Sequence, residues 1–188
     1  MKIDVKTGLL EQARQMPSPN FNERPAGARP ELIVIHNISL PPGEFGGSAI
    51  DEFFTNCLDC SLHPYFREIE GMQVSSHLLI RRDGEIVQYV PFSRRAWHAG
   101  VSRYKGRENC NDFSIGIELE GTDELPYAEK QYRRLTEVVS CLLGTYDSLN
   151  SQDIVGHSDI APGRKTDPGP GFDWPYFRRQ LDLALKRT

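Results

Sequence analysis

The run Glu31–His36, ELIVIH, constrains the fold of this chain more than any other feature. Leu32 to Ile35 are four consecutive apolar residues, three of them β-branched, with Pro30 just upstream. Alternation is absent, so the run reads as a strand buried on both faces rather than one with a wet side. Three other stretches carry strand signals. Residues 74–81 and 85–90 flank Arg82-Asp83-Gly84 and read as a hairpin with an Asp-Gly turn. In residues 113–120 (FSIGIELE), Phe113, Ile115, Ile117 and Leu119 alternate with Ser114, Gly116, Glu118 and Glu120. Ile154-Val155 is a short strand running into Gly156-His157.

Helical spacing falls between these strands. After Ser48, the residues Ile50, Phe53, Phe54, Cys57 and Leu58 recur on one helix face. Residues 127–144 place Tyr132, Leu135, Val138, Val139 and Leu142 at helical intervals. A last amphipathic helix carries Phe177, Leu181, Ala184 and Leu185, with Asp173 as its N-cap and Pro175 in its first turn. Strands interleaved with helices predict an α/β fold: a single domain over residues 1–188 with a central mixed sheet, part hairpin and part crossover, flanked by helices. Residues 17–30 hold four prolines, so residues 1–30 are expected to form an irregular N-terminal arm packed on that domain.

The 22 Lys and Arg against 26 Asp and Glu give a net charge of −4. That balance argues against a nucleic-acid partner, whose phosphates call for clustered cations. No stretch approaches 18 apolar residues, so no membrane span is expected. Asp4, Lys6, Glu11 and Arg14 interrupt the N-terminus, which does not read as a secretory signal. The expectation is a cytosolic protein whose four cysteines are free thiols.

Among five histidines, His36 and His157 each follow an apolar run directly. Polar groups at strand ends sit where α/β sheets build sites, and two imidazoles among many carboxylates suggest a metal. A catalytic zinc takes three protein ligands and leaves one position open. The third ligand could be Asp159, Asp167 or Asp173; spacing does not choose. Asp167 lies on a rigid Pro-Gly turn, whereas Asp159, two residues past His157, could instead orient an imidazole. Glu118 and Glu120 share a strand face about 7 Å apart. They could be a solvent-facing edge, an inverting glycosidase pair, or one general base beside a metal. Cys57-Leu58-Asp59-Cys60 lacks the second pair a zinc ribbon needs, and Cys57 on its helix face reads as core. Trp97 could stack on a sugar or simply pack. Lys165 could sit in solvent or hold a developing oxyanion.

LIVIHNISLPPGEFG, HPYF, RAWHAG, NDFSIGIELEGTD and GHSDIAPGRKTDPGPGFDW, in that order, resemble the type 2 N-acetylmuramoyl-L-alanine amidase family, which is related in fold to peptidoglycan recognition proteins. The likeness runs from about Pro17 to Trp174. It implies one Zn2+ per chain bound by His36, His157 and Asp167, with Glu118 and Lys165 as catalytic groups beside it. Asn37, Tyr65 and Trp97 match positions near the site or its sugar pocket, and Ala161 matches one near the peptide. The implied reaction is hydrolysis of the amide between the lactyl group of (1,6-anhydro-)N-acetylmuramic acid and L-alanine, in cytosolic peptidoglycan recycling. The implied partner is a small muropeptide, with no nucleic acid or membrane, and the chain acts as a monomer. Gly163 and Asn109 depart from the family pattern, which puts an acidic residue and an arginine there. A non-catalytic muropeptide-binding module and the Glu118/Glu120 glycosidase are the competing expectations.

Overall fold

In the computed structural model, which describes residues 1–186, the ELIVIH run lies inside a six-stranded mixed sheet. Positions 187 and 188 of the expected domain lie outside the described residues. The strands are β1 (Arg14–Gln15), β2 (Leu32–Ile38), β3 (Leu78–Ile80), β4 (Ile86–Gln88), β5 (Ser114–Glu120) and β6 (Ile154–Gly156). Their order across the sheet is β6-β2-β5-β3-β4-β1. β2 runs parallel to β5 and β6, β5 parallel to β3, and β3 antiparallel to β4. The turn between β3 and β4 passes through Gly84 at φ 91°, a left-handed geometry that glycine adopts without penalty.

The helices are α1 (Ala49–Phe54), α2 (Pro64–Glu68), α3 (Glu129–Thr145), α4 (His157–Ile160) and α5 (Trp174–Leu185). The two longest cover one sheet face. Leu135, Val138, Val139 and Leu142 of α3 and Phe177 and Leu181 of α5 pack with Ile33, Ile35, Ile115, Ile117 and Leu119. The expected cap on α5 is present: the Asp173 carboxylate accepts from the Tyr176 amide at 2.8 Å.

The opposite face begins apolar and turns polar along the strands. Leu32 and Val34 pack with Ala99, Cys110, Phe113 and Ile160, and the next residue on that face is His36. Parallel register sets Ser114 beside Leu32, Gly116 beside Val34 and Glu118 beside His36. All of β5 is buried, so its polar face is no solvent-facing edge; protein covers it.

Two local expectations are corrected. α1 stops at Phe54 because Asn56 takes a left-handed φ of 61°, which breaks the helix face before Cys57 and Leu58. Cys57 is therefore exposed, not core. The N-terminal arm is more regular than proline content suggests. Ile3–Asp4 pairs with Leu9–Leu10, β1 joins the sheet edge beside β4, and Phe21–Asn22 pairs with Arg95–Ala96. Side chains supply the missing partners: Gln88 accepts from the Leu10 amide at 2.7 Å, and the guanidinium of Arg24 donates to the carbonyls of Asp112 and Ser114 at 3.0 and 2.9 Å. All four cysteines are free thiols.

Candidate metal centre

Three parallel strands, β2, β5 and β6, end on one side of the sheet, and the site lies at those carboxyl ends. His36 sits near the end of β2. His157 follows β6 directly, and Gly156 pairs with Ile35, so the two imidazoles become neighbours across the sheet. Asp167 arrives from the loop after α4, whose carbonyl at Asp167 accepts from the Ser158 amide at 3.0 Å. Gly156 permits that approach: a Cβ there would lie 2.8 Å from Pro168.

The result is a triangle of donor atoms. His36 Nδ1 is 3.0 Å from His157 Nδ1, and each lies 3.1 Å from Asp167 Oδ2. Tetrahedral zinc with bonds of about 2.0–2.1 Å sets its ligands about 3.3 Å apart, so these atoms stand within a few tenths of an ångström of that spacing. Their protonation also suits a cation. His157 Nε2 faces the Ala99 carbonyl at 3.1 Å and must carry its hydrogen, which leaves Nδ1 a bare lone pair. Burial pushes the His36 imidazole down to about 4, more than the neighbouring Asp167 raises it, so it is neutral at pH 7. Burial alone would raise Asp167, but the adjoining His157 and His36 rings hold its carboxyl below the usual range. Two imidazoles and a carboxylate meeting at one point fit a divalent ion.

The other aspartates are engaged elsewhere. Asp159 accepts from the Gly156 amide at 2.7 Å and caps α4, and Asp173 caps α5. The two glutamates of β5 part company. Glu120 accepts from the amides of Gly46 and Arg82 at 2.7 and 3.1 Å and pairs with Arg81 at 3.4 Å. It is fully committed and does not line the cavity, so the glycosidase pair is not assembled. Glu118 lines the cavity with a buried Oε2 that has no hydrogen-bond partner among the described residues. Burial, with the charge of Asp167, lifts its carboxyl well above the usual range, partly offset by Lys165.

The cavity has a volume of about 440 Å³ and an open mouth. Asn37, Tyr65, Trp97 and the exposed Lys165 line it with the donor triangle and Glu118. Asn37 Nδ2 is held by Asp123 at 2.7 Å, and Trp97 Nε1 donates to Asn22 at 2.8 Å. Ala161 lines a second depression instead, with Asn109 and Arg164. Gly163 sits at φ 76° with open space around it. Cys57 and Cys60 are outside the main cavity.

Sequence reasoning missed His98. Its Nδ1 lies 2.9 Å from His36 Nε2. One signal was available: Gly116 interrupts a strand otherwise rich in large side chains, and such a glycine often marks a close approach. A Cβ at Gly116 would fall 2.4 Å from the His98 ring.

Fold and site together define a mixed α/β scaffold whose strand ends hold a His-His-Asp set able to take a metal beside a buried carboxyl. A family model described as N-acetylmuramoyl-L-alanine amidase matches residues 26–170. The 1,6-anhydro-N-acetylmuramyl-L-alanine amidase AmpD of Salmonella typhimurium is 59% identical over 177 residues, 94% of each chain. A crystal structure of a selenomethionine derivative of AmpD superposes with a TM-score of 0.93 at 57% identity, covering 96% of this chain and 99% of that one. The amidase AmiD of E. coli, solved with anhydro-N-acetylmuramic acid-L-Ala-D-gamma-Glu-L-Lys, is 28% identical with a TM-score of 0.58, covering 86% of this chain and 65% of that one. The chain belongs to the N-acetylmuramoyl-L-alanine amidase family, and within it to the AmpD type.

Proposed function

We propose that this chain is a zinc-dependent amidase. It hydrolyses the bond between the lactyl group of 1,6-anhydro-N-acetylmuramic acid and L-alanine, in cytosolic recycling of muropeptides. The observation that carries the reading is the meeting of His36 Nδ1, His157 Nδ1 and Asp167 Oδ2 beside Glu118 Oε2, which has no partner among the described residues. The substrate class is supported by the name of the AmpD relatives and by the ligand bound to AmiD.

The two imidazoles and Asp167 would hold the zinc ion, which would supply Lewis acidity toward the acyl oxygen and water. Glu118 takes the proton from the attacking water at Oε2 and returns it to the departing amine of L-alanine. Burial raises this carboxyl, which makes it a stronger base toward the attacking water than an ordinary glutamate. Lys165, on the cavity rim, places positive charge against the oxyanion of the tetrahedral stage. Asn37, Tyr65 and Trp97 shape the cavity around the sugar. Ala161 and Asn109 shape the second depression, where an uncharged Asn109 offers a peptide carboxylate no ion pair.

The test combines metal content with product analysis on an anhydro-muramyl peptide. One zinc per chain, loss of turnover with a chelator, recovery on adding zinc, and release of a free peptide amine are expected. His36→Ala, His157→Ala and Asp167→Ala should lose metal and turnover together. Turnover that survives metal removal would overturn the zinc reading. A new reducing end would point to a glycosidase, and binding without turnover to a recognition module.

A further inference from the structure

The two imidazoles of the donor triangle depend on one short segment for their orientation. His36 Nε2 meets the ring of His98, and His157 Nε2 meets the carbonyl of Ala99, the next residue. The Asn111 side-chain oxygen accepts from the amides of both, His98 at 3.1 Å and Ala99 at 2.8 Å. One amide side chain thus pins both supports. The Ala99 carbonyl also receives Arg164 at 2.6 Å, from the loop that carries Asp167.

One assignment of the protons satisfies these bonds and leaves both Nδ1 atoms free for a metal. His157 Nε2 faces a carbonyl, so it donates. On the other branch, His98 Nε2 lies 3.0 Å from the Ser114 hydroxyl, which can accept. A hydrogen on His98 Nε2 leaves its Nδ1 a lone pair that accepts from His36 Nε2–H. His36 Nδ1 then points bare at the triangle. The ring of His98 is edge-on to that of His36, with centroids 5.0 Å apart. It fits against the strand only because residue 116 is glycine. Metal-bound imidazoles are commonly held in this way by an acceptor on the second nitrogen.

We propose that the His98–Ala99 segment, pinned by Asn111, is the positioning element that holds both metal-facing imidazoles as Nε2–H tautomers, with His98 and Ser114 acting as a relay behind His36. The inference rests on the metal reading above.

The test uses the full chain with zinc as probe. Zinc affinity is measured by chelator competition, and imidazole tautomers by nitrogen NMR of the metal-free protein. In the unsubstituted chain His36 and His157 should both be Nε2–H without metal. His98→Phe, which fills the space but accepts no hydrogen bond, should weaken zinc binding by about 10- to 100-fold and release the His36 tautomer. His98→Asn, whose amide oxygen can accept near the old Nδ1 position, should recover most of the affinity. Gly116→Ala should resemble His98→Phe by displacing the ring, and Ser114→Ala should weaken binding only a few-fold. Should His98→Phe fail to fold, the ordering of His98→Asn, Ser114→Ala and the unsubstituted chain still decides. Unchanged zinc affinity and tautomers in these variants, with zinc bound normally by the unsubstituted chain, would overturn the proposal. Absence of zinc binding by the unsubstituted chain would overturn the metal reading itself, and the tautomers would still report on the clamp.

Discussion

Strand β5 presents two faces that differ in what their burial accomplishes. Ile115, Ile117 and Leu119 enter the core beneath α3 and α5, where each large aliphatic side chain contributes on the order of 1.5–3 kcal/mol by leaving water. Ser114, Gly116 and Glu118 are equally buried yet contribute little of that kind. Gly116 makes room, Ser114 holds a histidine, and Glu118 keeps a carboxyl oxygen without a partner among the described residues, at a cost to stability. A strand can therefore tolerate an expensive face when the other is well packed, and departures from core chemistry mark the functional side.

The strongest challenge to this contrast is Glu118→Gln. Turnover should fall by about 10²- to 10⁴-fold while zinc content is kept. The same change should stabilise the metal-free protein at pH 7. Burial raises this carboxyl above its ordinary 4.5, so the folded state holds the proton more tightly than the unfolded state. Stability is then lost as pH rises above 4.5, and an amide avoids that loss. Thermal melts and steady-state rates check both halves, and a variant both inactive and less stable would contradict the assignment.

Leu135→Ala probes the apolar face. The residue is fully buried among β5 and its neighbours. A loss of about 2–5 kcal/mol in denaturant unfolding is expected, with kcat per folded molecule unchanged. A large kcat effect would mean that the two faces are mechanically coupled.

The last challenge is pH-dependent. Burial lowers His36 to about 4 and, with Arg24 nearby, His77 to about 3, from an ordinary 6.5. The unfolded chain takes up these protons first. Stability of the metal-free protein should decline as pH falls through 6.5, by about 1.4 kcal/mol per pH unit for each histidine. The decline should end near pH 4 for His36 and near pH 3 for His77. Replacing His77 with Gln should remove part of that slope in urea titrations at several pH values.

Much of the fold was legible in local patterns. The LIVI run, the alternation in FSIGIELE, the heptad-like spacing in α3 and the Asp173 cap all act over a few residues. They survive in the structure because tertiary packing agrees with them. The prediction at Cys57 failed where one left-handed residue, Asn56, overrode a helical pattern that continued on paper. The arm is more regular than its prolines suggest because it bonds to residues far along the chain, the Leu10 amide to Gln88 and the Arg24 guanidinium to the Ser114 carbonyl.

Sequence by itself determined which residues could do chemistry: two histidines ending apolar runs, a choice of aspartates, and two glutamates on one strand face. Tertiary structure decided which of them come together. Asp167 was separated from Asp159 by a helix cap, Glu118 from Glu120 by a guanidinium and two amides, and His98 gained its place behind His36 through a missing side chain at Gly116. The reason is physical. A strand or a cap is stabilised by neighbours in sequence, whereas a ligand triangle exists only where segments more than a hundred residues apart are brought to within 3.1 Å by packing at their backs.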